Sequence, residues 1–250
     1  MNRFMIVVNP DKDTDSTVTN RIQSYLEAHG ATCMVRDVFH LEFSDWEALK
    51  KEQFGCVLVL GGDGTLLRMA GETEDIDIPL FGINLGTVGF LTEGEVANIE
   101  EILDRLLTDD FTIEERMMVT GTVTKADGTT YRKSALNDIV ISRAGFSRLI
   151  GLNVSVDGQV LDTYEADGVV ISTPTGSTGY NLSAGGPIVS PDAELLVITP
   201  VSPHSLTAKS IVLSGKEEIT IEITKKRKTQ ERQSVLLMVV MMWNYLLVTG

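Results

Sequence analysis

The sequence has few of the residues that build disulfide frameworks or structural metal sites. It contains two cysteines, Cys33 and Cys56, and three histidines in 250 residues. Both cysteines lie in apolar, strand-like runs, and no histidine has metal-ligand spacing with them. We therefore expect two buried, reduced thiols and no metal site made of protein side chains.

Basic residues are also scarce. Lys and Arg number 21 against 35 Asp and Glu, which gives a net charge of −14 and argues against nucleic-acid or anionic-membrane partners. No run before residue 235 is long and apolar enough to span a bilayer. Met1–Val8 has only a short apolar stretch, which predicts a first strand rather than a signal peptide, and we expect a cytoplasmic protein.

Several phosphate-binding motifs are missing as well. The sequence has no G-x-x-x-x-G-K-[ST], which excludes a P-loop protein, and no H-R-D or D-F-G, which excludes a protein kinase. The glycines of residues 82–89 do not fit G-x-G-x-x-G. A hydride-transferring Rossmann enzyme therefore has little support.

The first 110 residues alternate between apolar, strand-like runs and segments of helical periodicity. This alternation predicts a Rossmann-like α/β domain with a parallel sheet, whose ligands bind beyond the carboxyl ends of the strands. Gly30 is a typical end for the first helix. The predicted strands are Phe4–Val8, Ala31–Val35, Cys56–Leu60 and Pro79–Asn84, and the later predicted helices include Trp46–Glu52 and Val96–Leu107.

From about residue 111 the sequence changes to short strands separated by turns. Asp127-Gly128 and Asp157-Gly158 are typical of tight hairpins. The spacing predicts an antiparallel, β-rich, sandwich-like second domain. We expect domains at residues 1–110 and 111–223 and an atypical tail at 224–250. The predicted strands include Met117–Thr124, Ala135–Ser142, Leu152–Val156, Gln159–Tyr164, Val169–Ser172, Leu195–Thr199, Ser210–Leu213 and Glu218–Ile223.

The segment Gly61-Gly62-Asp63-Gly64-Thr65 directly follows a buried strand. Glycines there permit positive φ and close approach of a phosphate, and successive N–H groups form a nest for an anion at the start of a helix. Asp63 is suited to orient a hydroxyl, accept its proton or hold a cation. The alternative is a tight strand-to-helix turn with Asp63 as the N-cap.

A second group of polar residues lies in the β-rich part. Residues 167–191 read DGVVISTPTGSTGYNLSAGGPIVSP, a strand that enters a loop rich in hydroxyls and glycine. Such a loop suits a nucleoside, with Tyr180 as a stacking surface, but it equally suits a Ser/Thr-rich loop before a short helix. Asn137-Asp138 lies inside an apolar run, so a polar group there lines a ligand site or marks a β-bulge at the domain junction.

Together these motifs resemble the NAD kinase family. That family joins an α/β domain with GGDGT to a β-rich domain with an Asn-Glu or Asn-Asp pair and a long segment similar to 167–187. The resemblance extends over residues 4–223 in order, and the long segment is its most specific part. The family usually has Ala at Gly179 and Glu at Asp138.

The resemblance implies roles for individual residues. Asp63 is implied as the catalytic acid/base and Arg68 as a phosphate contact. The other implied dinucleotide contacts are Gly64, Asn137, Asp138, Arg148, Asp167, Thr175, Thr178, Gly179, Tyr180, Asn181, Leu182 and Ser183, together with Asp63 itself.

The implied reaction is transfer of the γ-phosphate of ATP to the 2′-hydroxyl of the adenosine ribose of NAD, giving NADP. The implied cofactor is a divalent cation, Mg²⁺, and the implied assembly is a homo-oligomer, a dimer or a tetramer. ATP or polyphosphate as donor, and NAD or NADH as acceptor, stay open. Two alternatives are a diacylglycerol- or sphingosine-type lipid kinase, which shares only GGDGT, and a dinucleotide-binding protein that has lost activity.

The tail departs from the family pattern. Residues 225–228 are basic, and residues 234–248 are apolar and Met-rich without strand alternation, where the family has polar strands with Asp-Gly turns. A run this short favours a partner-binding helix over a membrane span. Our preferred hypothesis is a reading-frame shift: with suitable codons for Val235–Val248, the frame one base away reads VDGGDDVELPSG.

Overall fold

The computed structural model describes residues 1–86, 89–125, 127–143, 149–224 and 236–249. The chain divides into two compact units. The N-terminal unit comprises Met1–Glu115 with Tyr245–Gly250, and the C-terminal unit comprises Arg116–Asn244.

The N-terminal unit alternates strands and helices, as its sequence periodicity predicts. Its strands are β1 (Arg3–Val8), β2 (Thr32–Asp37), β3 (Cys56–Gly61), β4 (Leu80–Asn84) and β5 (Gly94–Glu95). Its helices are α1 (Thr17–Ala28), α2 (Phe43–Lys51), α3 (Asp63–Glu72) and α4 (Ile99–Leu107).

The strands of this unit pair in parallel in the order β2-β1-β3-β4, and β5 extends β4. Strand β3 is buried along its whole length because helices cover such a sheet on both faces, which explains its unbroken apolar run. The carboxyl ends of β3 and β4 lie side by side, with Gly61 in register with Asn84.

Several details of this unit differ from the predictions. Helix α2 begins at Phe43, three residues before the predicted start at Trp46. Residues Val96–Asn98 form a 3₁₀ turn, so the last predicted helix begins at Ile99. The two-residue strand β5 was not predicted, because a pair of residues carries no measurable periodicity.

The C-terminal unit is built mainly of antiparallel strands. They are β6 (Thr112–Thr124, which begins in the N-terminal unit), β7 (Thr130–Ala135), β8 (Asp138–Ser142), β9 (Ile150–Val156), β10 (Gln159–Ala166), β11 (Gly168–Ser172), β12 (Leu195–Val201), β13 (Ile211–Ser214), β14 (Ile219–Thr224) and β15 (Leu236–Thr249). A 3₁₀ turn at Thr175–Thr178 precedes helix α5 (Tyr180–Ser183).

These strands form sheets in the orders β13-β12-β11-β8 and β10-β9-β14-β15. Buried side chains from both, including Leu152, Val154, Ile171 and Ile198, share one core, which is the predicted sandwich-like arrangement. The β9-β10 hairpin turns at Asp157-Gly158 with φ of 48° and 76°, as a two-residue primed turn requires.

The predicted strand Ala135–Ser142 is wrong. Strand β7 ends at Ala135 and pairs with β6, whereas β8 begins at Asp138 and pairs with β11. The chain changes sheets at Leu136-Asn137, so the Asn-Asp pair lies at a junction between strands rather than inside one.

The tail forms a strand. Residues Leu236–Val239 of β15 pair with β14, and Leu247 pairs in parallel with Leu80 of β4. Within the described residues, no helix has the length and apolar content needed to cross a membrane.

Candidate active site

The GGDGT segment joins the end of β3 to the start of α3. Gly62 is the N-cap with extended backbone, φ −131°, and Asp63 is the first helical residue. A Cβ at Gly61 would lie 2.3 Å from the Thr65 hydroxyl, so glycine is needed there for packing. A Cβ at Gly62 or Gly64 would meet no atom within 4 Å. Glycine thus provides open space at the helix start, and the positive φ expected in this turn is not adopted.

The carboxylate of Asp63 does not cap its own helix, so the N-cap interpretation is wrong. It accepts hydrogen bonds from a second loop that follows β4. Oδ2 accepts from the Phe90 N–H at 2.7 Å, and Oδ1 accepts from the N–H groups of Leu91 and Thr92 at 3.1 and 3.2 Å. The Thr92 hydroxyl also donates to Oδ1, at 3.1 Å.

Arg68 lies one turn further along α3 and is exposed. Its guanidinium carbon is 5.3 Å from the ring centroid of Phe39, an aromatic residue just after β2. A basic side chain therefore stands over an aromatic ring in the helix that begins at GGDGT. The sequence motifs gave no signal for Phe39.

A cavity of about 300 Å³ opens near the carboxyl end of β4. Asn84, whose backbone is in register with Gly61, lines it together with Glu95. The ammonium of Lys12 is 3.9 Å from where a Cβ of Gly86 would stand. The strand ends therefore bring amide, carboxylate and ammonium groups to the edge where parallel sheets bind ligands.

The Asn137-Asp138 junction provides polar groups in the C-terminal unit. Asn137 Oδ1 is buried and has no hydrogen-bond partner among the described residues. Burial raises the pKa of the Asp138 carboxyl above its ordinary value. Gly179 lies beside both, because its Cβ would be 3.6 Å from Asn137 Nδ2 and 3.9 Å from Asp138 Oδ2.

Most hydroxyls of the 172–183 loop hold the loop itself together. The Thr173 hydroxyl donates to the carbonyl of Leu136 at 2.5 Å and accepts from the Gly176 N–H at 3.1 Å. The Ser177 hydroxyl accepts from the Val189 N–H at 3.0 Å. Both side chains are fully buried, so these two hydroxyls serve the architecture of the loop.

Asn181 is also fully buried. Its amide nitrogen donates to the carbonyls of Ser177 and Pro187, at 3.1 and 2.9 Å, and its oxygen accepts from the Thr199 hydroxyl at 2.7 Å. The side chain therefore anchors α5 from inside the unit.

The remaining predicted residues of this loop reach the surface to different degrees. Thr175 is 8% exposed, and its hydroxyl lies 3.5 Å from the guanidinium of Arg116. Tyr180 and Leu182 are 44% and 45% exposed. Thr178 and Gly179 are half-buried and Ser183 is exposed.

Asp167 lies just before β11. Its carboxylate accepts a hydrogen bond from Nε of Arg143 at 2.5 Å, and its backbone carbonyl accepts from the Arg143 N–H at 2.9 Å. No sequence motif indicated that Arg143 would pair with Asp167. Arg148, the basic residue implied by the family resemblance, lies outside the described residues.

Comparison with known proteins identifies the family of this chain. Residues 4–111 match the ATP-NAD kinase N-terminal domain, and residues 136–235 match the ATP-NAD kinase C-terminal domain. The chain is 45% identical over 240 residues to an NAD kinase of Lachnoclostridium phytofermentans, covering 94% of this chain and 84% of that protein. It belongs to the NAD kinase family. An NAD kinase of Agathobacter rectalis is 44% identical over 234 residues, covering 92% and 82%.

Solved structures agree with the NAD kinase fold. Yeast NADH kinase, complexed with NADH, superposes with a TM-score of 0.84 at 22% identity over all of this chain and 84% of its own. An Archaeoglobus fulgidus NAD kinase in complex with ATP superposes with a TM-score of 0.72 at 25% identity, covering 99% and 92%.

Membership of the NAD kinase family confirms the predicted enzyme class, a phosphotransferase with an alcohol acceptor, and the predicted combination of an α/β part with a β-rich part. Both parts of the chain match NAD kinase domains, whereas the lipid-kinase alternative rested on GGDGT alone. The C-terminal match ends at residue 235, close to where the sequence of the tail departs from the family pattern.

Proposed function

We propose that this NAD kinase uses Asp63 to activate the 2′-hydroxyl of the adenosine ribose of NAD for attack on the γ-phosphorus of ATP. The hydroxyl proton passes to the Asp63 carboxylate, the new P–O bond forms, and the bond to the β,γ-bridging oxygen breaks to release ADP. Phosphoryl transfer of this kind depends chiefly on positioning and on charge stabilisation.

The observation that carries this proposal is the position of Asp63 at the open end of α3. The N–H groups that start a helix have no partner within it, and Gly62 and Gly64 leave open space where a side chain would begin. A phosphate bound there meets backbone donors, while the carboxylate in the same turn is a base for an adjacent hydroxyl. Arg68, one helical turn on, adds a positive charge that we assign to phosphate.

In the C-terminal unit, the proposed contacts for the dinucleotide start at Asn137 and Asp138. The unpartnered Asn137 oxygen accepts from a sugar hydroxyl or an amino group, because leaving a buried acceptor unpaired costs about 1–3 kcal/mol. The exposed ring of Tyr180 is a stacking surface. The other residues assigned to the dinucleotide in this unit are Arg148, Asp167, Thr175, Thr178, Gly179, Leu182 and Ser183, whereas we assign Asn181 to positioning α5. In the N-terminal unit, Gly64 is assigned to the dinucleotide as well.

The divalent cation enters, in this proposal, with the donor as MgATP. Across the described residues, His, Cys, Asp and Glu side chains do not converge in groups of three or more that could hold a metal ion. Mg²⁺ is commonly bound by one or two carboxylates and substrate phosphates, so this donor set fits a cation that arrives on the nucleotide. Bound in this way, it neutralises the charge of the donor phosphates.

The direct test is incubation of the protein with NAD, ATP and Mg²⁺ and measurement of NADP. Parallel reactions with polyphosphate as donor and NADH as acceptor decide the two open substrate questions. Binding of NAD without NADP formation would identify a dinucleotide-binding protein that has lost activity. The expected homo-oligomer and the cytoplasmic location stay predictions.

The Asp63→Asn variant tests the role of the carboxylate. We expect NAD affinity to be largely kept and turnover to fall at least about a hundredfold, because general-base catalysis contributes on the order of 10²–10⁴. Steady-state kinetics with a separate NAD-binding measurement separates the two effects. Turnover near the wild-type rate would remove Asp63 from the mechanism.

A further inference from the structure

A short loop of the N-terminal unit encloses the Asp63 carboxylate. We define Gly89–Thr92 as the Asp63 clasp. A Cβ on Gly89 would lie 2.1 Å from Asp63 Oδ1, so only glycine allows the loop to approach this closely. The next three residues then direct their N–H groups at the carboxylate.

The donors of the clasp are divided unequally between the two carboxylate oxygens. Oδ1 receives the N–H of Leu91, the N–H of Thr92 and the Thr92 hydroxyl, whereas Oδ2 receives the N–H of Phe90 alone. An ionised carboxylate offers about four lone-pair sites over its two oxygens. Oδ1 is therefore filled, and Oδ2 retains capacity for one more donor.

Thr92 is the member of the clasp that contributes a side chain to Asp63, and its orientation is fixed by packing. It is 4% exposed. A Cβ on Gly82 of β4 would lie 2.9 Å from its methyl carbon, so the methyl group fits against a strand glycine while the hydroxyl points at Asp63. Glycine inside a strand often marks such a close approach.

We propose that Thr92 is a positioning residue for the reaction, holding Oδ1 of Asp63 so that Oδ2 is presented to the 2′-hydroxyl of the acceptor. This inference rests on the proposed role of Asp63 as the base. Without the Thr92 hydroxyl, the carboxylate keeps its backbone donors but gains freedom to rotate. The ribose hydroxyl then meets the wrong oxygen or the wrong angle in a larger share of encounters.

The test compares Thr92→Val, which replaces only the hydroxyl, with Thr92→Ser, which keeps it. We expect Thr92→Val to lower kcat about tenfold with the KM values for NAD and ATP within about twofold, because a hydrogen bond to a charged group is lost. Thr92→Ser should keep kcat within about twofold of the wild-type value. Equal losses in both variants would show a packing role and overturn the proposal.

A matched control is Thr73→Val at the end of α3. Thr73 is 3% exposed, and its hydroxyl donates to the Met69 carbonyl at 2.8 Å, so the variant also removes one hydroxyl hydrogen bond from a buried site. We expect its melting temperature to fall about as far as that of Thr92→Val, with kcat unchanged. A kcat loss in Thr73→Val equal to that in Thr92→Val would also overturn the proposal.

The combination with Asp63→Asn separates this inference from the proposed function. If Thr92 acts through Asp63, Thr92→Val should lower kcat less than about twofold further in that background. A full tenfold loss there would show that Thr92 acts by another route. Wild-type turnover in Asp63→Asn would instead refute the base itself. A large loss in Asp63→Asn with none in Thr92→Val would refute only the positioning role.

A second variant covers the case in which Thr92→Val does not fold. Gly89→Ala keeps every donor of the clasp but places a methyl group 2.1 Å from Oδ1 and 2.4 Å from Cγ of Asp63, so the carboxylate must shift. We expect a folded protein with kcat lowered about tenfold or more, since the carboxylate is displaced as a whole. Unchanged kcat in a folded Gly89→Ala protein would contradict the inference.

Discussion

Two acids of this NAD kinase illustrate how residue environment sets function. Asp63 is surrounded by donors from the backbone and from Thr92. Asp138 is partly buried at a strand junction, and burial raises its pKa. The first environment orients a carboxylate, and the second makes its charge costly until a partner binds.

Replacing Asp138 by Asn should therefore stabilise the free protein at neutral pH. A raised pKa in the folded state gives stability that is complete below the unfolded pKa, near about 4, and is lost as pH rises through the folded pKa. We expect the variant to melt about 2 °C higher than the wild type at pH 7, with the difference vanishing near about pH 3.5. Thermal melts over this pH range measure it.

The control for this prediction is Asp77→Asn, because Asp77 is exposed. It removes one negative charge from a chain of net charge −14 without changing a buried site. An equal gain in melting temperature in both variants would assign the effect to net charge rather than to burial. NAD binding should weaken in the Asp138 variant alone.

At the scale of elements, the turn at Thr175–Thr178 and helix α5 form a small scaffold anchored from within. Helix α5 has four residues, too few to be stable by itself. Asn181 binds it to two carbonyls and to Thr199 of β12. A Cβ on Gly186 would lie 2.0 Å from Asn181 Oδ1, so only glycine allows the backbone after α5 to pack against this side chain. The exposed residues of α5 owe their positions to this buried amide.

Asn181→Ala should lower the free energy of unfolding by about 2–4 kcal/mol, since it removes three hydrogen bonds of a fully buried side chain and leaves the buried Ser177 carbonyl without this donor. Urea titration of the ligand-free protein measures the loss. Asn153→Ala in β9 is the matched control, because among the described residues the Asn153 side-chain oxygen accepts from the exposed Thr163 hydroxyl, at 3.2 Å. We expect Asn153→Ala to lower the free energy of unfolding by about 0.5 kcal/mol or less. Similar losses in both variants would mean that the Asn181 network adds little.

At the scale of the whole molecule, the tail belongs to both units. Residues Leu236–Val239 extend the antiparallel sheet beside β14, and Leu247 and Val248 are buried in the N-terminal unit. A strand whose two ends pair or pack in different units contributes to the stability of each. The identity of residues 224–250 therefore affects the stability of the enzyme as a whole.

The reading-frame hypothesis predicts the nucleotide sequence of the tail. The frame one base away should encode a polar segment with an Asp-Gly turn similar to VDGGDDVELPSG. An out-of-frame translation without such a segment would exclude the hypothesis. If it holds, exchanging the present tail for the restored one should shift the melting temperature by at least about 4 °C, because both ends of β15 are paired or buried, and about 2–4 °C corresponds to about 1 kcal/mol for a chain of this size. Calorimetry of the two proteins measures this difference.

Sequence periodicity predicted most strands and helices of both units, because buried faces repeat every two or 3.6 residues along the chain. It was wrong at Ala135–Ser142, since an apolar run that changes sheets has the same composition as one continuous strand. Hydroxyl content did not reveal which side chains of the 172–183 loop are structural. Thr173 and Ser177 hold the loop, because buried loop backbone needs internal partners.

The sequence by itself determined the family and the order of most elements, and it singled out Asp63 as the proposed base. Those features depend on local spacing, which a single chain displays directly. Only the tertiary structure decided which groups surround that acid. Thr92 lies 29 residues from Asp63 along the chain, and it reaches the carboxylate because β4 lies beside β3 and Gly82 leaves room for its methyl group. The spacing of residues along the chain does not predict a contact that depends on which strands pair.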